Sequence, residues 1–193
     1  MVEKLFYLLM TYLVAGIPFG YIFVKIFKGI DVRTVGSGNI GATNVYRAGG
    51  AGVAALTGIF DILKGFLPTF YAIKLYGTDF GAITAVVAII GHSFTVYMKF
   101  KGGKGVATTV GAFLGISPVG VLIGIATWLI VLFITRIVAV ASLTAVTVGG
   151  IYIFATTSSV LLKVIIVLAV AIIFIRHKSN IKRLIRGEEP RIK

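Results

Sequence analysis

The chain has no cysteine, and among its 193 residues only two are histidine and six acidic. Without thiols, disulfides, thiolate nucleophiles and thiolate metal sites are excluded outright. Two histidines and six acids leave little for a metal cage, so neither a metal nor any other cofactor is expected. Acid is scarce against 19 lysines and arginines, and the formal net charge is +13. In a soluble protein such an excess would raise nucleic acid as a partner. Here the aromatic–basic interleaving of a soluble nucleic-acid scaffold is missing and the basic residues fall between apolar runs. Membrane topology and anionic lipid or substrate account for them better, and no nucleic-acid partner is expected.

What is present in abundance is apolar sequence: 58% of residues are hydrophobic and 13% charged, with a mean hydropathy of +1.04. The apolar residues come in long runs rather than in amphipathic alternation, the signature of an integral membrane protein. The first run, Leu5 to Phe27, is too long for a signal-peptide core and lacks a cleavage site followed by a soluble domain, so it is expected to stay in the mature chain. A span needs about 20 apolar residues. The runs that qualify or nearly qualify lie at 5–27, 51–74, 80–98, 106–117, 118–135, 137–156 and 159–176. The fourth is short, and Pro118 marks either a kink in one long helix or the start of a separate one.

Charge chooses between these. With seven spans, 28–47, 99–104, Arg136 and the tail from Arg176 all fall on one side, leaving Lys4 and Lys74 opposite. If 106–135 were one helix, Arg136 and the basic tail would land on the wrong side. The positive-inside rule thus predicts an all-α, seven-transmembrane-helix bundle forming a single domain over 1–193, with the N-terminus outside and the C-terminus cytoplasmic. The short fourth span implies that its glycine-rich entry loop dips into the membrane, supported by protein. Small-xxx-small pairs at Gly16/Gly20, Gly111/Gly115 and Gly120/Gly124 are read as helix packing. Asp61 and Lys64 share a helix face and can neutralise one another, a structural pair at least as readily as a proton or ion relay.

The stretch from Gly91 to Ala107 organises the rest. It places Lys99, Lys101 and Lys104 around Gly102, Gly103 and Gly105 before apolar sequence resumes. Basic residues alone would only mark a cytoplasmic helix end. The glycines point further, to an anion site in which freed backbone N–H groups, lysine charge and the orphan donors of a helix starting near Gly105 converge. A second cradle, Gly36-Ser37-Gly38-Asn39-Ile40-Gly41-Ala42-Thr43-Asn44-Val45-Tyr46-Arg47, is dense in small hydroxyl and amide side chains. Its Gly-x-Gly-x-x-Gly matches a dinucleotide fingerprint literally, but the βαβ setting and downstream acid are missing. The Lys101–Gly105 loop lacks the P-loop pattern, because positions 98 and 105 are Met98 and Gly105, and no nucleotide hydrolysis is implied. A third polar region follows the last run, with His177 and Asn180 three apart in a polybasic tail. They are not needed for binding anionic lipid, which favours a site role for both.

Three phrases, GSGNIGATNVYRAGG, GHSFTVYMKFKGGKGVAT and RLIRGEEPRI, closely resemble, in the same order, motifs of the bacterial membrane glycerol-3-phosphate acyltransferases that use acyl phosphate as donor. The resemblance covers the whole chain. It implies transfer of a fatty acyl group from acyl phosphate to the 1-hydroxyl of glycerol 3-phosphate, giving lysophosphatidic acid and phosphate, the first step of phospholipid synthesis. By the same resemblance Gly102, Gly103 and Lys104, with His92 and Lys101 beside them, form the glycerol-3-phosphate site. The Ser37–Arg47 loop (Ser37, Gly38, Asn39, Gly41, Thr43, Asn44, Arg47) and the tail from Arg183 to Glu189 complete the active site. Localisation in the bacterial inner membrane, an active site at the cytoplasmic face, contact with membrane lipids and a monomeric state are expected with it. Thr95 departs from the family, which often has proline there, so the shape of this turn is the chain's own.

Chemistry on the residues agrees. Acyl phosphate is already activated, and the enzyme's work is to align a hydroxyl with a carbonyl and to neutralise two phosphates. Arg47, Lys101 and Lys104 are the electrostatic candidates. The His-x4-acid dyad of soluble-type lipid acyltransferases is absent, since Tyr97 and Lys182 stand five residues after the two histidines. A substrate phosphate oxygen is therefore the expected proton acceptor, with His177 and Asn180 orienting the glycerol. Ser37 and Ser142 are further polar contacts, and an acyl-serine on either lacks an adjacent base. A small anion transporter is the rival from another class, but its charges should sit at mid-membrane or on both faces. A phosphatidyltransferase would need an aspartate-rich metal motif, and the three aspartates here lie far apart.

Overall fold

Proline and the orphan carbonyls it leaves decide how the first apolar run folds. In the computed structural model, which describes residues 1–192, Pro18 separates α1 (Val2–Gly16) from α2 (Phe19–Lys28). The break leaves the Gly16 carbonyl without an intrahelical donor and the Ile17 carbonyl with only the Phe19 N–H at 3.0 Å, and buried carbonyls left unpaired are costly. Side chains from distant segments take both: Thr95 Oγ1 donates to Gly16 O at 2.7 Å and Lys64 Nζ to Ile17 O at 2.8 Å. Lys64 in turn lies 2.8 Å from Asp61 Oδ1, both side chains being buried. The pair expected from their spacing on one helix face thus also ties α4 (Ala51–Tyr76) to the broken first span. At position 95 φ is −70°, a value proline would also adopt, so the turn keeps a proline-like backbone while the hydroxyl adds a bond.

The remaining elements are α3 (Ala42–Gly49), α5 (Thr78–Ser93), α6 (Val106–Leu114), α7 (Pro118–Thr135), α8 (Val138–Thr156), α9 (Val160–Arg176) and α10 (Lys178–Ile185), with short 3-10 turns at Val32–Thr34 and Val96–Met98. There is no strand among the described residues. Pro118 opens α7 at its first turn, where its missing N–H costs nothing, and Ser117 Oγ accepts the Gly120 N–H at 3.3 Å. It therefore starts a separate helix rather than kinking a long one. Five segments are long and apolar enough to cross a membrane, or six if α9 and α10, bent by 59°, count as one. All seven apolar runs are helical, but α6, at about 13 Å, is shorter than the roughly 30 Å hydrocarbon core.

α6 lies level with the second half of α4 because glycine lets their backbones meet. A Cβ at Gly65 would stand 2.3 Å from Thr108 O, and one at Gly111 1.9 Å from Ile62 O. The main core joins α5, α6, α7, α8 and α9 through Ile89, Phe113, Val121, Ile153 and Ile166. A smaller one, Val24, Val32, Ile40, Val45 and Met98, fastens the 29–41 loop over α2 and α3. The chain order brings this loop, the 99–105 loop, Arg136 and the C-terminal tail to one end of the bundle, where Ile192 N donates to Arg136 O at 2.8 Å. Lys163, in the first turn of α9, joins Lys4 and Lys74 at the other end.

Lys64→Met would leave the buried Asp61 carboxylate without its cation and take the lysine donor from the Ile17 carbonyl, at a cost of about 3–5 kcal/mol. Thermal unfolding in detergent should show Lys64→Met well below wild type and the double variant Asp61→Asn/Lys64→Met partly recovered. Equal loss in both would mean that the pair is not the source of the stability.

Candidate active site

Where the three polar segments meet, a cavity of about 680 Å³ opens at the basic end and runs between α6, α7, α8 and α9. Its mouth carries Ser37, Asn39, Gly41, Thr43, Arg47, Lys104, His177, Asn180, Arg183 and Glu189, and Asp61 and His92 lie along its wall. Its depth is apolar, walled by residues such as Val121, Val146, Ile153, Ile166 and Val170.

The first loop is built around one buried amide. Asn44 Oδ1 accepts the Ser37 N–H at 2.9 Å, and its Nδ2 reaches the carbonyls of Val32, Val35 and Asn39 at 3.0, 2.9 and 2.9 Å. Asn39 Oδ1 likewise accepts the Gly41 N–H at 2.8 Å. Asn44, expected to bind substrate, therefore has its polar atoms committed to loop backbone and acts as a positioning residue. What it presents is Ser37, Thr43 and Arg47, all exposed and all facing the cavity. Gly38, with φ of +69°, shapes the turn and does not line the cavity.

The glycine loop also differs from its expected role. The N–H of Gly102 donates to Ser93 O at 3.2 Å and that of Gly103 to His92 O at 3.1 Å, so neither is free to cradle an anion. These glycines allow close approach instead: a Cβ at 102 would lie 2.0 Å from His92 O, and one at 103 2.0 Å from His92 Nε2. Their carbonyls are clamped by Arg176, whose Nη2 donates to Gly102 O at 2.7 Å and Nε to Gly103 O at 3.1 Å. Arg176 was legible in the sequence only as a charge at the end of an apolar run. Lys101 is exposed and outside the cavity.

The donors that remain free belong to α6. Its first intrahelical bond is Thr109 N to Gly105 O, and its N-terminus carries no side-chain cap. The N–H groups of Val106 and Ala107 are thus available at the cavity wall beside Lys104, with the helix dipole behind them. Burial lowers the Lys104 ammonium to about 8, with Arg183, Arg47 and Arg176 acting in the same direction and Glu189 opposing.

On the far wall the chain bends between α9 and α10, and His177 and Asn180 are both buried there. His177 Nδ1 lies 2.8 Å from Ile173 O; a carbonyl only accepts, so Nδ1 carries the proton and Nε2 is left as an acceptor. Asn180 Nδ2 donates to Glu189 Oε1, and its Oδ1 has no partner. Glu189 also takes Arg183 Nε at 2.7 Å. Its carboxylate, expected to touch substrate, is occupied in holding those two side chains in place. Ser142, one turn into α8, accepts the Trp128 indole N–H at 3.2 Å on the apolar side. His92 faces Asp61, with Nδ1 3.6 Å from Oδ1, and packs under the glycine loop rather than opening to the mouth. Among the described residues no group of histidines and acids could hold a metal ion.

The family model for "Glycerol-3-phosphate acyltransferase" matches residues 5–187. A relative of that description from Erythrobacter litoralis is 44% identical over 95% of this chain and 92% of its own length. One from Aquifex aeolicus is 39% identical over 98% and 99%. Among solved structures, the crystal structure of PlsY (YgiH), an integral membrane glycerol 3-phosphate acyltransferase, superposes in its glycerol 3-phosphate form with a TM-score of 0.95. That pair shares 38% identity over 99% of this chain and 96% of that one. In its lysophosphatidic acid form the TM-score is 0.93 at 37% identity.

Arg176→Lys keeps the charge but cannot hold two carbonyls with one rigid fork. Hydrogen exchange at the Gly102 and Gly103 amides should accelerate roughly tenfold or more, from hydrogen bonds to a charged group worth about 1.5–3 kcal/mol. Unchanged exchange would show the loop to be held by α5 alone.

Proposed function

The chain belongs to the glycerol-3-phosphate acyltransferase family, and from that premise we propose that it transfers a fatty acyl group from acyl phosphate to the 1-hydroxyl of glycerol 3-phosphate, yielding lysophosphatidic acid and inorganic phosphate. The observation that carries the reading is one cavity that joins a cationic, hydrogen-bonding mouth to a long apolar interior. Two phosphorylated groups fit the mouth and an alkyl chain fits the depth.

Glycerol 3-phosphate places its phosphate on Lys104 and the free N–H groups of α6. Its hydroxyls meet the two unused acceptors, His177 Nε2 and Asn180 Oδ1. The acyl phosphate lays its phosphate against Ser37, Thr43 and Arg47 and its chain along α8 and α9. The glycerol 1-hydroxyl oxygen bonds to the acyl carbon, the bond from that carbon to phosphate oxygen breaks, and the departing phosphate takes the hydroxyl proton. No protein base is needed, because the leaving group is itself an acceptor and the charges are set before reaction. His177 and Asn180 orient the glycerol, and the proton of the attacking hydroxyl is left for the phosphate.

All the basic loops share the end that bears the cavity mouth. With positive charge inside, the mouth faces the cytoplasm, the N-terminus lies outside, the C-terminus inside, and the chain passes seven times through a bacterial inner membrane. The α6 segment and its inset entry loop together make the fourth passage. The enzyme acts as a monomer, since the cavity is complete within one chain.

Purified protein incubated with radiolabelled glycerol 3-phosphate and either palmitoyl phosphate or palmitoyl-CoA should give lysophosphatidic acid from the phosphate alone. Lys104→Ala should lose roughly 10²–10³ in kcat/KM, the scale of removing one donor from developing or fixed charge. Product from the thioester would overturn the donor; no product from either would sink the reaction. The ammonium is the binding form, so kcat/KM for glycerol 3-phosphate should fall as pH rises through about 8. Lys104→Arg should move that fall to higher pH, because guanidinium stays charged. A profile flat through this range in wild type would remove Lys104 from the phosphate site.

A further inference from the structure

At its far end the cavity meets side chains of the main core. Phe113 of α6, Val121 of α7, Ile153 of α8 and Ile166 of α9 both line the cavity and belong to the main core. Ile153 is the centre of this closure: a Cβ at Gly120 would lie 2.4 Å from its Cγ1, so the isoleucine fills the space that the glycine leaves.

The height of the floor converts to a chain length. Ile166 and His177 are eleven residues apart, about 16 Å along a helix, and Ile153 stands the same distance beyond Ser142 on α8. Carbon–carbon bonds of about 1.5 Å advance an extended alkyl chain roughly 1.25 Å per carbon. The interior therefore takes about 13 carbons beyond the reacting end, with the first carbons still at the mouth. On the reading of this cavity as the acyl-donor site, we propose that it is a molecular ruler: Ile153, closing against Gly120, sets a preference for acyl chains of about 14 to 16 carbons. Longer chains must displace the floor, and shorter ones forgo the burial of methylenes.

Two substitutions move the limit in opposite directions. Ile153→Ala removes the stop and lowers the floor. Val146→Phe projects a ring into the interior roughly two turns above it, leaving room for about six to eight carbons. Each purified enzyme would be given an equimolar mixture of saturated acyl phosphates from 8 to 20 carbons with glycerol 3-phosphate, and the lysophosphatidic acids weighed by mass spectrometry. Wild type should peak at 14 to 16 carbons, and Ile153→Ala should peak at least two carbons higher. For Val146→Phe the palmitoyl-to-octanoyl ratio should fall roughly tenfold or more, the loss of several buried methylenes.

Retained turnover of the octanoyl donor by Val146→Phe shows that the variant is folded. If it is inactive with every donor, the direction of shift in Ile153→Ala decides alone. Active variants with the wild-type product profile would overturn the ruler while leaving the reaction standing. Absence of product from wild type with any acyl phosphate would instead overturn the reaction on which it rests.

Discussion

A lysine buried among apolar helices must find opposite charge and acceptors, and the way Lys64 finds them orders one whole side of this molecule. Its ammonium takes Asp61 on its own helix and the Ile17 carbonyl exposed by Pro18 on another. Neither partner alone would suffice: the carboxylate offsets the charge, and the carbonyl uses a second proton while fixing the angle between α1 and α2. Asp61 faces His92, whose carbonyl receives Gly103 N–H and whose ring lies against the same glycine. The position of the Lys104 loop is thus tied, through one buried pair, to the break in the first span.

Above that foundation the charged end of the bundle is arranged in two tiers. Asn44, Glu189 and Arg176 make their polar contacts with the protein and hold loops and neighbouring side chains. Lys104, Arg47, Ser37, the α6 N-terminus, His177 Nε2 and Asn180 Oδ1 are what those residues leave facing the cavity. Such a division suits chemistry in which the reactants carry their own activation. A site that contributes mostly fixed charge and direction gains from rigid supports, since dipoles already oriented need not reorganise during reaction.

Joining the polar mouth to an apolar interior follows from the helix packing. Glycines bring α4 against α6 and α7 against α8, and the cavity is the space left between these pairs and α9. Because α6 is short and begins level with the middle of α4, its unpaired N–H groups point into protein instead of into solvent or lipid. In that setting an anion gains both donors and a lowered local dielectric.

Much of the architecture was legible in the chain itself. Apolar runs fixed the helices, Pro118 and the distribution of arginine and lysine separated α6 from α7, and glycine, lysine, histidine and asparagine marked three segments that could meet. Those features depend on local composition, and the physics of the bilayer and of the peptide backbone acts on them directly. The tertiary structure decided which polar groups are spent and which are free. The amides of Gly102 and Gly103 looked like an anion cradle, and Asn44 like a ligand, until the carbonyls of Ser93, His92, Val32 and Val35 were seen to claim them. Arg176 and the glycine loop are more than 70 residues apart in the chain, as are Thr95 and the Gly16 carbonyl. A hydrogen-bonding group is committed by whichever partner lies within about 3 Å, and that distance is set by how the helices pack, which composition and spacing do not specify.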